Sequence, residues 1–184
     1  MKRFLIPFVC ACALVAGTPL LAAKKPVTPT VTKEVAAMLQ FMREEEKLAH
    51  DVYMLFYGIY GAVPDTFGNI MVSEQRHTDA VKTLLQKYGV ADPAANTGPG
   101  EFVNADLQAL YDTLVANGSG PDAELADALE VGVAIEKKDM TDIVEAIELS
   151  LAYKDIVQVY SNLLAGSENH LAAFLKALEP FADD

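Results

Sequence analysis

The chain has 184 residues, with 26 acidic against 14 basic side chains and a formal net charge of −12 at pH 7. That length is enough for one domain with a proper core. That acidity argues against nucleic acid or an anionic lipid surface as a partner, and it suits a protein that handles cations, although solubility alone also explains it.

The chain starts with "MKRFLIPFVCACALVAGTPLLAAKK". A basic start (Lys2, Arg3), an apolar run to about Val15, a Gly-Thr-Pro break and small residues at Ala22 and Ala23 predict a secretory signal peptide over residues 1–23. The apolar run is short for a membrane span. Cys10 and Cys12 lie inside that run rather than at its end, so they do not make a lipoprotein signal. Cleavage near Ala23 removes both cysteines together with Lys2 and Arg3, taking the formal charge from −12 to −14. The exported protein, periplasmic or extracellular and free of the membrane, then has no disulfide and no thiolate, and any metal must be held by His, Asp and Glu.

Residues 24–31, "KKPVTPTV", read as an extended lead-in, and residues 32–180 as the folded domain. A first helix is expected from Thr32 to about Tyr60, with Thr32 and Glu34 suiting its start. Breakers at 61–69 separate it from a second helix, about Phe67 to Tyr88, which Asp65 or Thr66 can cap. Residues 89–102 form a loop dense in Gly and Pro. A short helix over 104–118 takes Asn104 as cap and Gly118 as stop. A third long helix opens near Pro121 and ends around Leu149, and a fourth runs from near Tyr153 to about Leu178. No strand-like alternation competes. The expected fold class is all-α: a four-helix bundle with one long crossover carrying a short extra helix.

Residues spaced alternately three and four apart feed a bundle core. On the first helix they are Val35, Leu39, Met42, Glu46, Ala49, Tyr53 and Phe56. On the second they are Phe67, Ile70, Glu74, His77, Val81, Leu84 and Tyr88. The third long helix gives Leu125, Leu129, Gly132, Glu136, Asp139, Ile143 and Ala146, and the fourth gives Ile156, Tyr160, Leu163, Ser167, His170, Phe174 and Ala177. Each seam is apolar or aromatic except near its middle. Burying one unpaired carboxylate costs several kcal/mol, and a domain has only about 5–15 kcal/mol in hand. Four acids and two histidines at one level therefore need compensation, and a pair of divalent cations supplies it. The spacing of Glu74 and His77 puts both on one helical face, within reach of one ion. Mixed carboxylate and imidazole ligands suit iron, manganese or zinc better than calcium or magnesium.

Blander readings exist for each residue alone. "REEEKLAHD" (43–51) is an acidic run, usually a solvated face, and Glu44 and Glu45 are expected there; only seam position sets Glu46 apart. His50 lies off the seam and is expected on the surface. Lys137 and Lys138 can pair with Glu136 and Asp139 at the surface, and a lone His170 is more often a satisfied core histidine. Tyr53 and Tyr160 read first as core packing, with a hydrogen-bond donor or a radical relay as the other reading. Arg76 either offsets negative charge beside His77 or makes a surface salt bridge.

The segments "FMREEEKLAHDVY" (41–53), "FGNIMVSEQRHTDAVKTLLQKYG" (67–89), "VGVAIEKKDMTDI" (131–143) and "VYSNLLAGSENHLAAF" (159–174) together resemble the ferritin-like di-iron carboxylate superfamily. They resemble in particular a bacterial and archaeal branch of it, classed as a domain of unknown function. In the superfamily the first and third long helices each give a Glu, and the second and fourth each give Glu-x-x-His. That pattern implies Glu46, Glu74, His77, Glu136 and His170 as metal ligands. It departs on the fourth helix, where Ser167 stands in the acid's place and Asp139 is the candidate replacement. The resemblance implies two iron ions, with manganese or zinc as alternatives. It also implies an oxidase, ferroxidase or peroxide-scavenging activity on dioxygen or peroxide. A non-catalytic module that sequesters or senses metal, a hydrogen-bonded scaffold, a mineral store and a homo-oligomer stay open.

Overall fold

The computed structural model describes residues 29–61 and 65–181. The expected signal peptide and most of the lead-in lie outside the described residues. Five α-helices follow in order: α1 (Lys33–Tyr60), α2 (Thr66–Tyr88), α3 (Ala105–Ser119), α4 (Leu125–Leu149) and α5 (Lys154–Leu178). There is no strand among the described residues, and none of their helices is long and apolar enough to cross a membrane.

Local chemistry sets the helix ends. The Thr32 hydroxyl accepts the Val35 N–H at 3.3 Å, capping α1. Asn104 does the same for α3, accepting from Asp106 and Leu107 at 2.9 and 3.2 Å. α2 stops where Gly89 takes a left-handed φ of 66°. α4 starts at Leu125 rather than Pro121, because the Asp127 carboxylate reaches back to the Glu124 N–H at 2.7 Å. Gly118, expected as a stop, lies inside α3 instead. A Cβ there would come within 2.3 Å of the Phe56 ring, so glycine lets α3 close on α1.

α1 packs along α2, and α4 along α5; α1 also meets α4, and α2 meets α5. α3 lies against α1 and α4. Tyr53 faces Phe67 while Glu46 faces His77, so α1 and α2 run antiparallel. Gly132 against Phe174 and Asp139 against Ser167 give the same relation for α4 and α5. Every seam residue is buried except Leu125 and Ala177, which are half-buried. The apolar core falls into two clusters, one around Tyr53, Phe56, Phe67, Leu129 and Phe174, the other around Leu39, Met42, Val81, Ile143 and Tyr160. The polar centres of the seams lie between them.

The acidic run of α1 is not a solvated face. Glu44 and Glu45 are 3% and 4% exposed. The crossover covers that face, and the charges hold it. Glu44 accepts the N–H groups of Val103 and Asn104. Arg43 donates to Asp92 at 3.2 Å and contacts Thr78. Asp51 accepts from Lys47 at 2.6 Å and from the Gly100 N–H at 2.9 Å. Glu45 instead pairs with Lys138 of α4. Asp51→Ala strands the Gly100 N–H and takes one acceptor from the Lys47 ammonium, which keeps the Gly98 and Glu101 carbonyls, so it is expected to lower unfolding free energy by about 1–3 kcal/mol. Urea unfolding of the metal-free chain measures this, and an unchanged midpoint would show that the crossover does not depend on Asp51.

Candidate metal centre

Each long helix brings polar residues to the gap between the two apolar clusters. α1 brings Glu46, α2 brings Glu74 and His77, α4 brings Glu136 and Asp139, and α5 brings Ser167 and His170. Glu46, Glu74 and Glu136 are each 1% exposed, and His77, the most open of the set, only 9%. The six acidic and imidazole side chains named from the sequence thus share one buried layer.

Glu74 is at its centre. One of its oxygens lies 2.9 Å from His77 Nδ1 and the other 2.7 Å from His170 Nδ1. Glu46 is the second carboxylate at His77 Nδ1, at 3.2 Å. Glu136 is the second at His170 Nδ1, at 3.6 Å. The two imidazoles stack with centroids 5.3 Å apart. Ligand atoms from Glu74, His77 and His170 all lie within 4.8 Å of one another, so these three can hold a metal ion.

Two further contacts fix the layer from behind. The Tyr53 hydroxyl donates to Glu136 Oε1 at 2.7 Å, so this tyrosine is a hydrogen-bond donor as well as core packing. The Ser167 hydroxyl donates to Asp139 Oδ2 at 2.6 Å.

Several donor atoms nonetheless lack a hydrogen bond: Glu46 Oε1, Asp139 Oδ1, His170 Nδ1 and the Tyr160 hydroxyl. His170 Nδ1 is near Glu74, but it is not aligned for an N–H···O bond. Buried polar atoms are nearly always paired; Glu45 Oε2, Asp92 Oδ2 and Ser150 Oγ also lack a partner elsewhere, while Glu46 Oε1, Asp139 Oδ1 and His170 Nδ1 fall in this one layer.

Proton affinities in the layer follow from its crowding. Burial raises Glu46 and Asp139 well above the usual carboxylate range, and neighbouring carboxylates add to the rise. Burial would raise Glu74 too, but the imidazoles of His170 and His77 facing its two oxygens outweigh that and bring it to about 2. Burial would lower the histidines, yet the carboxylates facing them win, taking His77 up to about 11 and His170 up to about 9.

Other sequence candidates lie outside it. His50 is half-buried and pairs with Asp51 at 2.9 Å. Arg76 and Lys137 are exposed, while Lys138 pairs with Glu45 and Asp142 rather than with Asp139. Sequence reasoning missed Gly166. A Cβ there would sit 2.5 Å from His77 Nε2, so only glycine admits that ring against α5. The signal, a small residue one turn before His170, is too common to stand out.

The family described as Uncharacterized protein domain (DUF2202) matches residues 35–182, a span that includes every residue of the buried layer. The chain is similar to Uncharacterized protein MJ0754 of Methanocaldococcus jannaschii, with 41% identity over 159 residues, covering 86% of this chain and 82% of that protein. It is likewise similar to the crystal structure of hypothetical protein MJ0754 from Methanococcus jannaschii DSM 2661. There the TM-score is 0.76 at 42% identity, covering 86% of this chain and 87% of the other.

Proposed function

We propose, for a chain that belongs to the uncharacterized domain family DUF2202, that residues 32–180 form a ferritin-like four-helix bundle binding two iron ions. We further infer that the protein is exported and oxidises that iron with dioxygen or peroxide. One observation carries the reading: four carboxylates and two histidine Nδ1 atoms meet in one dry layer, with several donor atoms unpaired. Hydrogen-bonded scaffolding would have paired them.

The residues suggest their own division of labour. Glu74 faces both imidazoles and would hold metal together with them. Glu46 with His77 completes one end, and Glu136 with His170 the other. Tyr53 holds the Glu136 carboxylate in place, and Ser167 holds Asp139. Bound iron would supply the electrons for reducing oxygen species. The apolar clusters on either side keep bulk water away from the layer. The compact Glu74, His77 and His170 triad also supports a second reading, a single-ion site that holds iron, zinc or manganese without turnover.

Metal analysis separates the two. Protein purified without chelator, or reconstituted with ferrous iron, is expected to hold about two equivalents and to oxidise them in air. One equivalent that stays ferrous would favour the single-ion reading, and no bound iron, zinc or manganese would sink both. Gly166→Ala is expected to keep the helical circular dichroism while weakening metal binding by about 10–100-fold, because it pushes His77 aside. Calorimetric titration reads the change, and equal affinity would show that the His77 ring position does not matter.

A further inference from the structure

Between α1, α3 and α4 the core leaves a cavity of about 80 Å³. Leu48, Leu110, Leu114 and Ile135 form apolar walls. Ala134 completes the apolar part, and the rest is ionisable: Glu45, Asp139 and Lys138. Glu45 Oε2 and Asp139 Oδ1 are buried and have no hydrogen-bond partner. Asp139 also belongs to the metal layer, since its other oxygen accepts from Ser167 there. Lys138 stands at the solvent end, 40% exposed, against Glu45 and Asp142. The cavity therefore runs from a lysine at the surface to an acid of the centre.

Its lining selects by charge. The Lys138 ammonium opposes cations at the mouth. The apolar walls offer nothing to a hydrated ion, which would have to shed its water. A neutral molecule of a few atoms is what fits.

We propose that this cavity is the pocket through which a small uncharged oxidant, dioxygen or hydrogen peroxide, reaches the metal centre, with Lys138 at its mouth and Asp139 at its inner end. The inference rests on the two-iron reading. The reaction it serves takes two electrons from two ferrous ions and two protons from solvent. With dioxygen the double bond is reduced to a single bond, two O–H bonds form and the product is hydrogen peroxide. With hydrogen peroxide the O–O bond breaks and the product is two waters.

The test fills the cavity from two helices, with Leu110→Phe on α3 and Ala134→Leu on α4, both residues lining it. Xenon under pressure, used as a neutral probe, is expected in the cavity in crystals of metal-free protein and absent from it in both variants. Iron content is expected to be unchanged, while oxidation of the ferrous form by dioxygen, by peroxide or by both slows at least about tenfold. Slowing with only one of them names the resident oxidant. Ferricyanide, a bulky anion, is expected to oxidise all forms at equal rates, which excludes general damage to the site. No xenon in the unmodified cavity, or unchanged oxidation rates in both filled variants, would overturn the pocket and leave the two-iron reading standing. Ferrous wild-type protein inert to both oxidants would overturn that reading, and the pocket with it.

Discussion

Glu74→Gln is expected to abolish the metal centre while leaving the helices in place. Glu74 is the one carboxylate within 3 Å of both imidazoles. An amide of the same shape keeps one oxygen acceptor but loses the charge, and it brings an N–H₂ group to one of the two rings. On the proposed two-iron reading, iron content is expected to fall from about two equivalents per chain to well below one, with affinity down by about 10²-fold or more. The metal-free protein is affected as well. In the wild type Glu74 faces two imidazoles whose proton affinity it helps to raise, and removing one partner of such a buried set typically costs about 3–5 kcal/mol. Metal analysis and urea unfolding of the same preparation read both effects, with Glu130→Gln on the exposed face of α4 as the control. A Glu74→Gln protein that binds two irons as tightly as wild type would remove Glu74 from the centre.

The layer was legible because four seams had to agree. A glutamate at a core position is weak evidence on one helix, but Glu46, Glu74, Glu136 and Asp139 interrupt apolar seams at matching heights, and two histidines interrupt them too. Burial at those positions is a consequence of helical period, which sequence states directly. Glu44 and Glu45 misled for the complementary reason. Glu44 is buried by the Gly- and Pro-rich part of the crossover, whose sequence carries no period and gives no hint of where it lies, and Glu45 by contacts with α3 and with Lys138 of α4. The N–H groups of Val103 and Asn104 that meet Glu44 are about 60 residues away in the chain. Gly118 was misread on the same grounds, since a glycine near a helix end signals a stop unless one knows that Phe56 packs onto it. Gly166 and the Tyr53 hydroxyl bond to Glu136 are likewise facts of contact between helices, to which periodicity within one helix is blind.

The metal-free protein is expected to lose stability steadily as pH rises from about 5 to about 9, and bound metal is expected to remove that slope. Glu46 and Asp139, and Glu45 beside them, keep their protons in the folded chain well above the pH at which the unfolded chain releases them. Each therefore stabilises the fold less as pH climbs through its raised pKa. The histidines act in the same direction, because their contribution is complete below their ordinary value and is lost as pH passes about 9 for His170 and about 11 for His77. Glu74 alone opposes them, and only in acid, since its contribution is present above the ordinary carboxylate value and is lost as pH falls toward about 2. Metal ions take the places of these protons, so affinity grows with pH as the competing protons leave. At about 1,000 times the dissociation constant, metal adds about 4 kcal/mol, or roughly 10 °C in a protein of this size. Melting curves across pH 5.5–8.5, with chelator and with ferrous iron under argon, should diverge as pH increases. If the chelated protein melts at one temperature throughout that range, protons are not what holds the empty layer together, and the case for cations in their place weakens with it.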